Sequence, residues 1–277
     1  MSSTDAYAQR FAGPAGAYLL TLQNAALLSL LERFGPSLRI LDVGGGHAQI
    51  APALARLGHR VTVLSSHPEC ETRARRLCDG LGVRFLTGRL DHPLPSTMAV
   101  GEGYDVVVAL RMTMHMPDWT GFIAGLCGLG PRGVIIDYPS WRSTNALEPW
   151  LFGVKQRSEG GGTRRYRLFR PGQVGRAFRS RGYRVSASRH ECFLPLVVHR
   201  RLGCPGLTRP FENVARALGL TRLIGSPVLA LAERVGEPPL AADASDQGEV
   251  AAAPEPGQAT DPRHDPQPDP GSDRTVA

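Results

Sequence analysis

The apolar positions along the chain change period repeatedly. Tyr18 to Phe34 carries them at helical spacing and stops at Gly35-Pro36, which predicts a helix. Arg39 to Val43 is a short apolar run that predicts a strand, followed by Gly44-Gly45-Gly46 and a helix from Gln49 to Leu57 that Gly58 closes. Strand, helix and strand then follow over Arg60 to Leu64, Pro68 to Leu81 and Val83 to Thr87. Tyr104 to Leu110 is almost continuously apolar, as a strand buried on both faces of a parallel sheet must be. A helix over Trp119 to Leu129 and a strand over Gly133 to Tyr138 complete five strand–helix units, the alternation of a doubly wound α/β sheet.

Beyond Tyr138 the pattern loosens. Pro171 to Arg181 reads as a helix, Tyr183 to Arg189 as a strand, Phe211 to Leu220 as a helix and Ser226 to Val235 as the last strand. Connections as long as Ser140 to Arg170 are usually functional or hold elements of their own. We read residues 140–170 and 196–220 as helical cap insertions over the carboxyl edge of the sheet, and residues 1–34 as an N-terminal helical segment. These complete a first domain of residues 1–236. Residues 237–277 are rich in Pro, Ala, Asp and Gln and nearly free of large apolar side chains, so they are expected to form a disordered acidic tail.

Composition sharpens this outline. A chain of 277 residues with 42% hydrophobic and 21% charged content suits one medium α/β domain with additions. Met1 to Arg10 lacks the apolar stretch of a signal peptide. Ala17 to Leu31, broken by Gln23, Asn24 and Ser29, reads as an amphipathic helix too short and polar to span a bilayer. The five cysteines form no C-x-x-C pair and no metal-like spacing with histidine, so they read as buried reduced thiols of a cytoplasmic protein without a metal site. The net charge of +7 conceals a division: the tail holds nine acids against two arginines, and the body before it carries +14, nearly all arginine. A body so basic suits an anionic small molecule, a membrane surface or nucleic acid, or simply solvates the domain with arginine.

The turn at residues 44–46 is the first candidate for chemistry. Glycine permits a tight strand-to-helix turn and lets a ligand approach the backbone, and such turns lie at the carboxyl ends of the strands, where α/β proteins bind ligands. As a dinucleotide fingerprint the motif is incomplete, because Gln49 stands where G-x-G-x-x-G requires its third glycine. Ser65 and Ser66 at the end of the second strand would suit the phosphate of NADP, so an NADP-dependent oxidoreductase stays open at this point.

The segment Ile40-Leu-Asp-Val-Gly-Gly-Gly-His-Ala-Gln resembles motif I of class I S-adenosylmethionine-dependent methyltransferases, of the small-molecule, type 11 kind. Four further segments follow in the family's order: Val83-Arg-Phe-Leu-Thr-Gly-Arg-Leu90, Tyr104-Asp-Val-Val-Val-Ala-Leu110, Met114-His-Met-Pro-Asp118 and Gly130-Pro-Arg-Gly-Val-Ile-Ile-Asp137. The resemblance implies a seven-stranded, Rossmann-like sheet with an antiparallel last strand. It implies S-adenosylmethionine as cofactor, held by Asp42, Gly44, Gly46, Ser65, Arg89, Leu90 and Leu110. Ser65 stands where the family has its ribose-binding acid, and Arg89 where it has the Asp beside the adenine amino group. Serine binds a hydroxyl more weakly than a carboxylate does, and arginine has no acceptor to offer.

Methyl transfer is a displacement that needs an aligned nucleophile and sometimes a base. His115 is the candidate base, having an ordinary pKa near neutrality, and Tyr138 reaches the same crevice by topology. Arg164, Arg165 and His199 would grip an acidic or phosphorylated acceptor if the cap encloses it. Stacking aromatics are few and no RNA-binding module is present, which argues against nucleic acid. The reading is a small-molecule methyltransferase acting on oxygen or carbon of a lipid-like, quinone-like or secondary-metabolite acceptor, with peripheral membrane contact left open. Its alternative is a fold relative without catalysis that serves as a regulatory partner, suggested by Ser65 and Arg89.

Overall fold

The computed structural model describes residues 13–66, 68–88, 103–143 and 167–236. Their elements in chain order are α1 (Gly13–Leu31), β1 (Arg39–Val43), α2 (Ala51–Arg56), β2 (Arg60–Ser65), α3 (Glu69–Leu77) and β3 (Arg84–Thr87). After these come β4 (Val106–Ala109), α4 (Trp119–Gly128), β5 (Gly133–Tyr138), α5 (Pro171–Arg179) and β6 (Tyr183–Cys192). Three short helices, α6 (Leu196–Leu202), α7 (Pro205–Ala217) and α8 (Leu220–Ile224), precede β7 (Ser226–Arg234).

The strands form one sheet in the order β3-β2-β1-β4-β5-β7-β6. β1 to β5 are parallel, and β7 runs antiparallel to both β5 and β6. The chain order reverses beside β1, with β2 on one side and β4 on the other, so the ligand crevice expected of such sheets opens at the carboxyl ends of those strands. All six residues of β5 and all four of β4 are buried, which explains why both read as continuous apolar runs.

Alternate side chains feed two cores. On one face Ile40, Val63, Val108, Ile135 and Leu231 pack beneath α1 and α2. On the other Leu41, Val107, Ile136 and Ala230 pack against Phe122 and Leu126 of α4 and Phe178 of α5. Asp42 and Asp137 occupy alternate positions on the α1 face, and Tyr138 lies on the α4 face.

Several boundaries depart from the pattern-based reading. α1 with its 3₁₀ extension spans 22 residues, Gly13 to Phe34, long and apolar enough by length and composition to cross a bilayer. Its Leu19, Leu27, Leu30 and Leu31 are buried, and it packs against β6 and β7, as a core helix does. α3 stops four residues early, at Leu77. The helix expected from Phe211 begins at Pro205 and ends at Ala217, and α6 is a separate helix within the helical cap expected over residues 196–220. All five cysteines are free, but Cys204 is exposed, which corrects the expectation that all are buried.

Candidate active site

The crevice is built around the end of β1. Asp42 is the fourth residue of that strand and is 2% exposed. Burial pushes its carboxyl up to about 7, against the pull of the Arg111 guanidinium. Its Oδ2 has no hydrogen-bond partner. The glycines that follow are shaped by their neighbours. Gly44 takes φ +80°, and a Cβ there would meet the Met112 sulfur at 2.5 Å, while a Cβ on Gly45 would lie 2.0 Å from Asp42 Oδ2. Gly46 is buried in the turn beyond them. The loop thus folds directly over the Asp42 carboxylate, and a side chain at residue 45 would separate them.

Arg111, one residue beyond Leu110 at the end of β4, organises the other side. Its φ of +60° lies in the left-handed region that non-glycine residues avoid. In that conformation its backbone N–H donates to Asp137 Oδ1 at 2.5 Å, and its guanidinium donates to Gln49 Oε1. Gln49 therefore ties the glycine turn to the end of β4, a role the third glycine of a dinucleotide fingerprint could not fill. Burial pushes Asp137 up to about 6, with the Arg111 hydrogen bond and charge opposing it. Glu191 of β6 is pushed up to about 8 by burial and by Asp137. Gln23 of α1 donates to Glu191 at 3.4 Å, while its own Oε1 and Asp137 Oδ2 stay unpartnered in the interior. Arg111, Asp137, Glu191 and Gln23 were given no role in the sequence reading. The legible signal was Asp137 itself, an acid inside the otherwise uncharged strand Gly-Val-Ile-Ile-Asp-Tyr.

The remaining predicted residues are distributed as follows. Ser65 ends β2 next to β1 and is buried, and Leu110 is buried just past β4. His115 closes a 3₁₀ turn, Thr113–His115, directly after β4. Tyr138 ends β5 with its ring 5.9 Å from that of Phe169, and burial pushes its phenol up to about 12. Phe169 N–H donates to Pro139 O and Arg167 N–H to Met114 O, so the long connection after Ser143 returns beside both Tyr138 and the His115 turn. Arg89, Leu90, Arg164 and Arg165 lie outside the described residues.

His199 sits elsewhere, within α6. It is 1% exposed, with Nδ1 3.0 Å from Thr208 Oγ1 and Nε2 3.0 Å from Glu212 Oε1. Cys192, His199 and Glu212 could hold a metal ion, their ligand atoms lying within 4.8 Å of one another. Both imidazole nitrogens are already engaged, however, and both Glu212 oxygens accept backbone N–H groups, from Phe193 and Leu194 at 2.9 Å. Burial pushes Glu212 up, but His199 and those two N–H groups pull harder and hold it below the ordinary carboxylate range.

The geometry fits the cofactor implied by the glycine turn. S-adenosylmethionine carries an ammonium and a sulfonium, both cationic, and the end of β1 presents a buried acceptor oxygen, Asp42 Oδ2, without a donor of its own. Architecture and turn together define a class I, Rossmann-like methyltransferase fold. Residues 17–188 match the family model described as a methyltransferase domain, and the chain belongs to that family, whose cofactor is S-adenosylmethionine. It is similar to a ubiquinone biosynthesis O-methyltransferase of Methylobacterium sp. (strain 4-46), 32% identical over 90 residues, which are 32% of this chain and 35% of the relative. Over 174 residues, 61% of this chain and 68% of the relative, it is 28% identical to the protein of that name from Paramagnetospirillum magneticum. The match to the first thus spans about a third of that relative's length. The magnesium protoporphyrin IX methyltransferase of Synechocystis, solved with bound S-adenosylhomocysteine, shares the fold at 17% identity and a TM-score of 0.55, covering 83% of this chain and 93% of its own.

Proposed function

We propose that the chain transfers a methyl group from S-adenosylmethionine to oxygen or carbon of a small-molecule acceptor. The observation that carries this reading is the unpartnered, buried Asp42 Oδ2 beneath the glycine turn at the switch point of the sheet. The curated relatives are named as O-methyltransferases of ubiquinone biosynthesis, which favours oxygen and a phenolic, quinone-like acceptor. When bound, S-adenosylmethionine supplies a methyl carbon activated by its sulfonium. On this reading Asp42, Gly44, Gly46, Ser65, Leu110, Arg89 and Leu90 hold it. His115 takes the proton that a hydroxyl acceptor releases as the new bond forms. Tyr138, a phenol that burial keeps neutral at physiological pH, retains its O–H as a donor and orients the acceptor. Arg164 and Arg165 bind an anionic group of the acceptor, while the ring nitrogens of His199 are taken up by Thr208 and Glu212.

Calorimetric titration of the purified chain with S-adenosylmethionine tests this. Saturable binding is expected, and Asp42→Asn weakens it by about tenfold, the value of a charge-assisted over a neutral hydrogen bond. Absence of binding at millimolar cofactor, or NADPH binding in its place, overturns the reading. Binding without turnover across a panel of catechols and hydroquinones supports the regulatory alternative instead.

A further inference from the structure

α7 is built inside out. Its buried residues are Thr208, Glu212 and Ala215, while Leu207 (57% exposed), Phe211 (67%), Val214 (58%) and Leu218 at its C-terminal cap (68%) face outward. At about 100° per residue these four fall within about 60° of one another on the helix circumference, a continuous apolar stripe. Gly206, Pro210, Ala217 and Asn213 extend the uncharged arc away from the buried side, and Arg209 and Arg216 stand at its far border. The neighbouring helices add Leu202 and Leu223, 50% and 66% exposed.

The orientation is not accidental. Glu212 accepts two backbone N–H groups at the end of β6 and a bond from His199, and His199 also meets Thr208. This buried polar network fixes which side of α7 faces the protein, and so commits the apolar side to the outside. Soluble proteins rarely leave such a stripe uncovered without a partner.

Charge identifies the partner. From Phe193 to Gly225 the chain has five arginines and one acid, Glu212, which is buried. Arg209, Arg216 and Arg222 have no salt-bridge partner among the described residues. We propose that α7, flanked by α6 and α8, docks on an anionic lipid surface, with Leu207, Phe211, Val214 and Leu218 entering the acyl boundary and the bordering arginines meeting acidic headgroups. A second copy of the chain would cover the stripe equally well but would bring the bordering Arg209 and Arg216 against their own counterparts.

Vesicle flotation of the full chain decides the matter, using pure phosphatidylcholine and an equimolar mixture with phosphatidylglycerol. The chain floats with the anionic vesicles and not with the neutral ones. Leu207→Ser with Phe211→Ser weakens that binding by at least about tenfold, and Arg209→Gln with Arg216→Gln weakens it and flattens its salt dependence. All four positions are exposed, so melting temperatures stay near that of the parent and loss of folding is distinguished from loss of docking. No flotation with anionic vesicles overturns the proposal. So does flotation that the Leu207/Phe211 variant retains, which would be adsorption by net charge alone. Concentration-dependent self-association that the same variant abolishes, without vesicle binding, overturns it in favour of a dimer.

Discussion

Asp42, Asp137 and Glu191 sit on the same face of the sheet around a single guanidinium, and each is held above its ordinary value, at about 7, 6 and 8. The folded chain therefore binds these protons more tightly than the unfolded one. Their contribution to stability is complete below the ordinary carboxyl values of 3.8 and 4.5 and is lost as pH climbs through 6, 7 and 8. The cofactor-free chain is expected to melt at progressively lower temperature as pH rises over that range, with Glu191→Gln flattening the upper end. A melting temperature independent of pH would contradict it. A cationic ligand reverses the preference, because it stabilises ionised Asp42. Affinity for S-adenosylmethionine then rises with pH through about 7, and binding releases a proton, which titrations in buffers of different ionisation enthalpy measure directly. At Gly45 the constraint is steric: Gly45→Ala places a methyl 2.0 Å from Asp42 Oδ2, so the loop must shift. A loss of about 1–3 kcal/mol in stability is expected by urea unfolding, together with a cofactor affinity reduced at least as far as by Asp42→Asn.

At the scale of elements, strands announced themselves and the late helices did not. β1 and β5 have the boundaries that their apolar runs predict, because a strand buried on both faces has little freedom in composition. α6 and α7 were partly illegible for a physical reason. Periodicity analysis assigns the apolar face of a helix to the core, whereas in α7 the core face is polar and held by His199, Thr208 and Glu212. That network is a tie between two helices and a strand end. Glu212→Ala leaves the Phe193 and Leu194 N–H groups and His199 without their shared acceptor. It is expected to cost about 3 kcal/mol, read as a lowered urea midpoint, with little change in S-adenosylmethionine affinity, since the tie lies apart from the β1 turn. Equal loss of both would place α6 and α7 in the cofactor site.

For the whole molecule, the seven-stranded sheet, its antiparallel last strand and its crevice were legible because five segments appear in sequence at the spacing of one known architecture. The chemistry inside the crevice was less so. Glu191 lies beyond the strand Tyr183 to Arg189 that the pattern predicts, and it is the longer β6, to Cys192, that brings it to Gln23 of α1. Arg111 follows β4 without any local pattern that signals a left-handed backbone. Such roles are created by elements distant in sequence, which no window along the chain contains.

β7 carries one more consequence. It is the last element of the sheet in sequence, yet it stands between β5 and β6 and pairs with both. Leu229 and Leu231 complete one core and Val228, Ala230 and Ala232 the other. A nascent chain can assemble β1 to β5 as they emerge, but β6 has no neighbour until Ser226–Arg234 is made. Until then β5 presents an open edge, and both hydrophobic layers lack a side. Closure depends on contacts between strands far apart in sequence, which are slow to form. Synthesis interrupted before β7 thus leaves β5 as an unpaired edge and β6 without a partner, a state whose exposed apolar surface quality-control machinery readily detects.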